Sequence, residues 1–143
     1  MLDDCNTTVA VSAEAVAAAR AVTEGSDTGA MPFPDVLRRL AEAGVESYYA
    51  DLVRSERTFY LPGGGSHRTK SALRHETVAG SFSGEAIKAA LTAVQTRQID
   101  YSGFCDRIAA AGCFAYFVTL RGRQALYFGR SGAVFVEPFP PAF

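Results

Sequence analysis

The chain has 143 residues, 48% of them hydrophobic and 20% charged, with a formal net charge of -1. That is one domain's length and an ordinary globular composition, which excludes disorder, a fibrous repeat and the strongly basic balance of a nucleic-acid binder. The charges are uneven: residues 1–53 hold nine acids against three bases and residues 54–143 eleven bases against six acids, an asymmetry able to steer association with a second copy or a charged partner.

The start, MLDDC, is acidic where an export signal needs basic residues. No later run is apolar for the eighteen or so residues that a membrane span requires. A cytoplasmic protein with no membrane association is expected. Cys5, Cys105 and Cys113 are an odd set with no CxxC pair, so reduced thiols are expected and not a disulfide framework.

After a flexible start over residues 1–10, SAEAVAAARAV from Ser12 reads as a capped helix. Its serine is the N-cap and a glutamate in the first turn favours the positive end of the helix dipole. A second helix follows, with Phe33, Val36, Leu37 and Leu40 on one stripe and Pro34 in its first turn. Gly44 stands where a left-handed residue closes it. The period then drops to two in GVESYYADL, and a polar turn leads into RTFYL, which together predict a β-hairpin.

The same grammar returns. SGEAIKAALTAV from Ser83 repeats the first helix. Residues 101–120, YSGFCDRIAAAGCFAYFVTL, lie without a gap over residues 33–52, FPDVLRRLAEAGVESYYADL, matching Gly44 to Gly112, Tyr48 to Tyr116 and Leu52 to Leu120. QALYF then completes a second hairpin, and AVFVE adds a strand after GRSG.

The expected fold class is therefore α+β: an internal duplication of a helix-helix-β-hairpin unit, the strands of both copies forming one antiparallel sheet with helices packed on one face. One domain spans residues 1–143, with a first repeat over 11–62, a second over 82–143 and a connecting segment over 63–81 that is loop-like with room for a short strand.

RLAEAGVESYYADLVRSERTFYLPGG, IDYSGFCDRIAAAGCFAYFVTL and the terminal GRSGAVFVEPFP resemble the YbcV-like family of small uncharacterised bacterial and prophage proteins, some of which carry the label phage envelope protein. The resemblance covers nearly the whole chain. It implies a fold and supplies no catalytic residue to transfer.

The repeat also weighs the chemically suggestive residues, because a position that is apolar in one copy is expected to be structural in the other. Cys105 lies over Leu37 and Cys113 over Val45, so both read as core residues. His67 and His75, eight places apart, lack any zinc spacing, GGGSH lacks the lysine of a phosphate loop and GRSG lacks the dinucleotide spacing. No metal, cofactor or catalytic residue is expected.

On the strand face away from the helices, alternation places Tyr49, Asp51 and Val53 in the first copy and Phe117, Thr119 and Arg121 in the second. Asp51 between aromatics needs water or a hydrogen-bond partner, and Arg54, Arg57 and Tyr60 are near it in sequence. The main functional expectation is a noncatalytic binding or self-association module, a homodimer through the aromatic sheet face. The alternative is a small-ligand protein or enzyme with a cleft near Asp51, built from Tyr49, Asp51, Arg54, Arg57, Tyr60 and His67. No recognisable catalytic motif supports an enzyme.

Overall fold

A computed structural model describes residues 11–74 and 77–139. The expectations for the flexible start, for Cys5, for His75 and for the chain after residue 139 lie outside the described residues. The elements run α1 (Ala13–Asp27), α2 (Phe33–Glu42), β1 (Ser47–Asp51), β2 (Glu56–Tyr60), β3 (Ser66–Lys70), α3 (Gly84–Gln95), α4 (Tyr101–Ala110), β4 (Cys113–Thr119), β5 (Gln124–Gly129) and β6 (Val134–Pro138).

Local chemistry explains the helix ends. Ser12 Oγ accepts from Ala15 N at 3.0 Å and Ser83 Oγ from Ala86 N at 3.1 Å. Each side-chain oxygen satisfies an amide that has no partner within the first turn. Asp100 caps α4 in the same way through Gly103 N, at 2.9 Å. α2 and α4 end on Gly44, φ 80°, and Gly112, φ 94°, a backbone region that an L side chain adopts only with strain. Arg39 and Arg107 occupy the last turns of these two helices, where a cation favours the negative end of the dipole.

All six strands form one antiparallel sheet in the order β3-β2-β1-β4-β5-β6. The connecting segment thus carries the short strand β3, which borders one side of the sheet as β6 borders the other. At the centre β1 pairs with β4 in a register running from Ser47↔Thr119 through Tyr49↔Phe117 to Asp51↔Ala115. Beyond the sheet ends, Leu52 N donates to Phe114 O and Leu120 N to Glu46 O, both at 3.0 Å.

The helices cover the face that bears Phe59, Tyr48, Tyr116, Tyr127 and Phe135, one aromatic from each strand between β2 and β6. Their rings meet in sequence: Tyr48 lies 5.3 Å from Phe59 at an interplanar angle of 30°, Tyr116 lies 5.3 Å from Tyr127 at 33°, and Tyr48 meets Tyr116 edge-on at 6.3 Å. Leu40 and Ile108 from α2 and α4, Val22 from α1 and Ile87 from α3 are fully buried against this layer. Period-two alternation in the strands and the helical stripes meet in one core, which burial of apolar area stabilises.

Candidate functional site

The six residues expected to form a site divide between the two faces of the sheet. Tyr49, Asp51 and Tyr60 share the face away from the helices. Tyr60 is exposed there, and Tyr49 is half-buried and stands opposite Phe117 and Thr58. Arg54 follows in the β1–β2 turn. Arg57 and His67 point to the helix side, since Arg57 pairs with Ala50 and Thr69, and His67 with Phe59. Arg57 is only 4% exposed, and His67 is half-buried on β3.

Asp51 has a partner, and it is the backbone. Its Oδ1 accepts from Val53 N and Arg54 N, both at 3.0 Å, which ties the β1–β2 turn. At the matching place after β4, Thr119 Oγ1 accepts from Gly122 N at 2.8 Å. Asp51 and Thr119 do one job, closing a hairpin with a side-chain oxygen.

The uncovered sheet face has two chemistries. Towards β6 it is apolar: Phe117, Leu126 and Phe128 are half-buried, and Val134 and Val136 are 47% and 44% exposed. Towards β3 it is charged. The Glu56 carboxylate, nearly buried, sits 3.4 Å from Arg54, 3.9 Å from Arg68 and 3.7 Å from Lys70, so three bases surround one acid.

Beneath the helices lies a second polar group that sequence reasoning did not assemble. The Arg57 guanidinium is stacked over Tyr101, with Cζ 4.9 Å from the ring centroid, and its Nη1 is 4.0 Å from Asp27 Oδ1 at the end of α1. Asp27 is held from the other side by Ser71 Oγ, at 2.9 and 3.0 Å, and by Ala72 N at 2.8 Å. The Tyr101 and Tyr116 hydroxyls share a hydrogen bond of 2.6 Å.

One signal in the sequence could have revealed this group. Arg57 alternates in step with Phe59, so it belongs on the covered face, and the offset that carries Gly44 onto Gly112 carries it onto Ala125. A charge at a core position demands a partner. The partner, Asp27, lies at the far end of a helix whose contact with β2 and β3 no local pattern encodes.

The electrostatics of this group follow from its burial. Burial pushes the hydroxyls of Tyr48, Tyr101 and Tyr116 well above the usual tyrosine value, with the Arg57 charge pulling the other way. They are neutral at physiological pH. Burial would by itself lower the proton affinity of Arg57, but the tyrosine oxygens around it outweigh that and it stays charged. Burial also pushes the Cys105 thiol up to about 12 and Cys113 to about 11, so neither presents a thiolate nucleophile.

Among the described residues no group of three or more His, Cys, Asp or Glu is placed to hold a metal ion, and no helix is long and apolar enough to cross a membrane. Comparison with curated proteins finds no match. A family profile does match: over residues 28–138, from the end of α1 through β6, the chain fits DUF1398, described as a protein of unknown function, and it belongs to that family.

Proposed function

We propose that this protein is an internally duplicated scaffold acting as a noncatalytic module, which docks a second copy of itself through the uncovered face of its sheet. The duplication is supported by the constant offset that carries Gly44 onto Gly112. The same offset carries Ser55, φ 55°, onto Arg123, φ 56°, and Gly64, φ 99°, onto Gly132, φ 91°. It also carries the bond from Leu61 N to Gly65 O, 2.9 Å, onto that from Gly129 N to Ala133 O, 2.7 Å. Unrelated segments have no reason to share left-handed turns and loop-closing bonds at one spacing.

The observation that carries the functional reading is the apolar half of the open face. Phe117, Leu126, Phe128, Val134 and Val136 adjoin one another on β4, β5 and β6 with no helix over them. A contiguous apolar patch favours a protein partner. A second copy suits it, because a two-fold axis across the strands lays the apolar half on its twin and keeps the two cationic clusters at Arg54, Arg68 and Lys70 apart. The phage envelope label attached to some YbcV-like proteins contributes no chemistry to this proposal.

The alternative, a ligand or enzyme cleft around Asp51, has less support, because the Asp51 carboxylate is committed to the turn. Sedimentation velocity across a wide concentration range tests the dimer. The wild type should associate, and Val136→Lys, which sets a charge on the patch, should weaken association at least tenfold. A wild type that sediments as a monomer at every concentration would remove the reading.

A further inference from the structure

We infer that Arg57 holds a binding site for a single uncharged hydrogen-bond acceptor of water size, in practice one long-lived internal water, at the base of the β1–β2 hairpin. Three observations meet there. Arg57 is 4% exposed, and its Nη1 is buried with no hydrogen-bond partner. The nearest opposite charge, Asp27 Oδ1, stands 4.0 Å away, too far for a direct bond. Asp27 spends its oxygens on Ser71 Oγ and Ala72 N. A cavity of about 10 Å³ is lined by Arg57, Tyr101, Ser55 and Ser71 together with residues from the end of β1 and the start of β2.

The size and charge of the site select the guest. The cavity has room for about one water and for nothing larger without rearrangement. A buried N–H of a charged guanidinium without an acceptor is costly, so an acceptor is strongly favoured. Asp27 already sets a negative charge beside Arg57, 4.0 Å from Nη1. An anion would share the one guanidinium with the Asp27 carboxylate and be repelled by it. A neutral oxygen that accepts from Nη1 and donates to a neighbouring carboxylate or serine oxygen satisfies both sides. Arg57 belongs to the helix side of the sheet, away from the apolar patch of Phe117, Leu126, Val134 and Val136.

Magnetic relaxation dispersion of water oxygen-17 and deuterium counts long-lived internal waters in the intact protein in solution. Wild type should show one more than Arg57→Met. If that variant leaves Asp27 unbalanced and fails to fold, the pair Arg57→Met with Asp27→Asn keeps the acceptor for Ser71 and Ala72 and removes both charges, and it should lose the same water. An unchanged count in a folded variant would overturn the inference. Chloride and formate, titrated against wild type labelled at the arginine side chains, should leave the Arg57 signals in place. A saturable shift with either ion would show a site for anions and overturn the assignment to a neutral guest.

Discussion

The half of the chain that ends in β3 and the half that ends in β6 place their tyrosines, turns and capping glycines alike, yet they bury different chemistry. Where β2 turns Arg57 into the core, the matching position of β5 holds Ala125, fully buried. In the first half the end of α1 supplies Asp27 to that arginine. In the second, Gln95 at the end of α3 donates to Glu137 on β6 at 2.8 Å. Each half ties the end of its first helix to the outer strands with a polar contact, and each puts the charge on a different strand. The borders differ as well: β3 reads SHRTK and β6 reads VFVEP, a charged edge that resists further pairing against one that exposes Val134 and Val136. The two halves agree in the aromatic layer and the turns, and differ in the pairing of buried charge and the character of the edge.

The largest difference between the halves is the buried pair of Arg57 and Asp27. Asp27→Ala leaves the Arg57 charge uncompensated in the interior and should cost about 3–5 kcal/mol in urea unfolding. Arg57→Met together with Asp27→Asn brings the first half nearer to the second and should recover most of that loss. A single variant as stable as wild type would mean that the pair contributes nothing.

The capping glycines sharpen the comparison next. A Cβ on Gly44 meets nothing within 4 Å, whereas one on Gly112 would stand 2.2 Å from Ser81 O and 2.8 Å from Phe82 Cα. Gly44→Ala should therefore cost only the left-handed backbone term, about 1 kcal/mol. Gly112→Ala must also move the chain leading into α3 and should cost about 3 kcal/mol. Equal losses from the two substitutions would show that this crowding relaxes freely.

The smallest effect concerns Glu137. Burial raises its carboxyl above the ordinary value, against hydrogen bonds from Gln95 and Tyr127 that lower it. A group whose pKa is higher in the folded state binds more protons folded than unfolded between the two values, so stability falls as pH rises through that window. Thermal unfolding from about pH 4 to about pH 7 should show wild type losing ground to Glu137→Gln as pH increases. An opposite slope would place the carboxylate in a stabilising environment.

Much of the fold was legible in the sequence because its signals are local or repeated. Ser12 and Ser83 announce helices by a hydroxyl ahead of a glutamate, Gly44 and Gly112 end them, and Tyr48 and Tyr116 mark strands by alternation. β3 was the harder strand, since SHRTK is polar throughout and a border strand needs no apolar face to pair. The candidate site was legible only in part. Tyr49 and Tyr60 do lie on the uncovered face, but Asp51 serves its own turn, and Arg57 and His67 stand on the other side of the sheet. Sequence proximity grouped them, and strand parity separates neighbours onto opposite faces.

By itself the sequence determined the helix caps, the alternation that sorts residues into two faces of a sheet, and the matched spacing of two similar halves, because each depends on residues a few places apart or on a pattern met twice. It took the packed chain to bring Arg57 to Asp27 and Tyr101, to gather three bases round the Glu56 carboxylate, and to leave the apolar face of β4 to β6 uncovered. The contacts of Arg57 with Asp27 and Tyr101 join residues distant along the chain. Their energies depend on burial and on the direction of approach, quantities that arise only once helices and strands have packed.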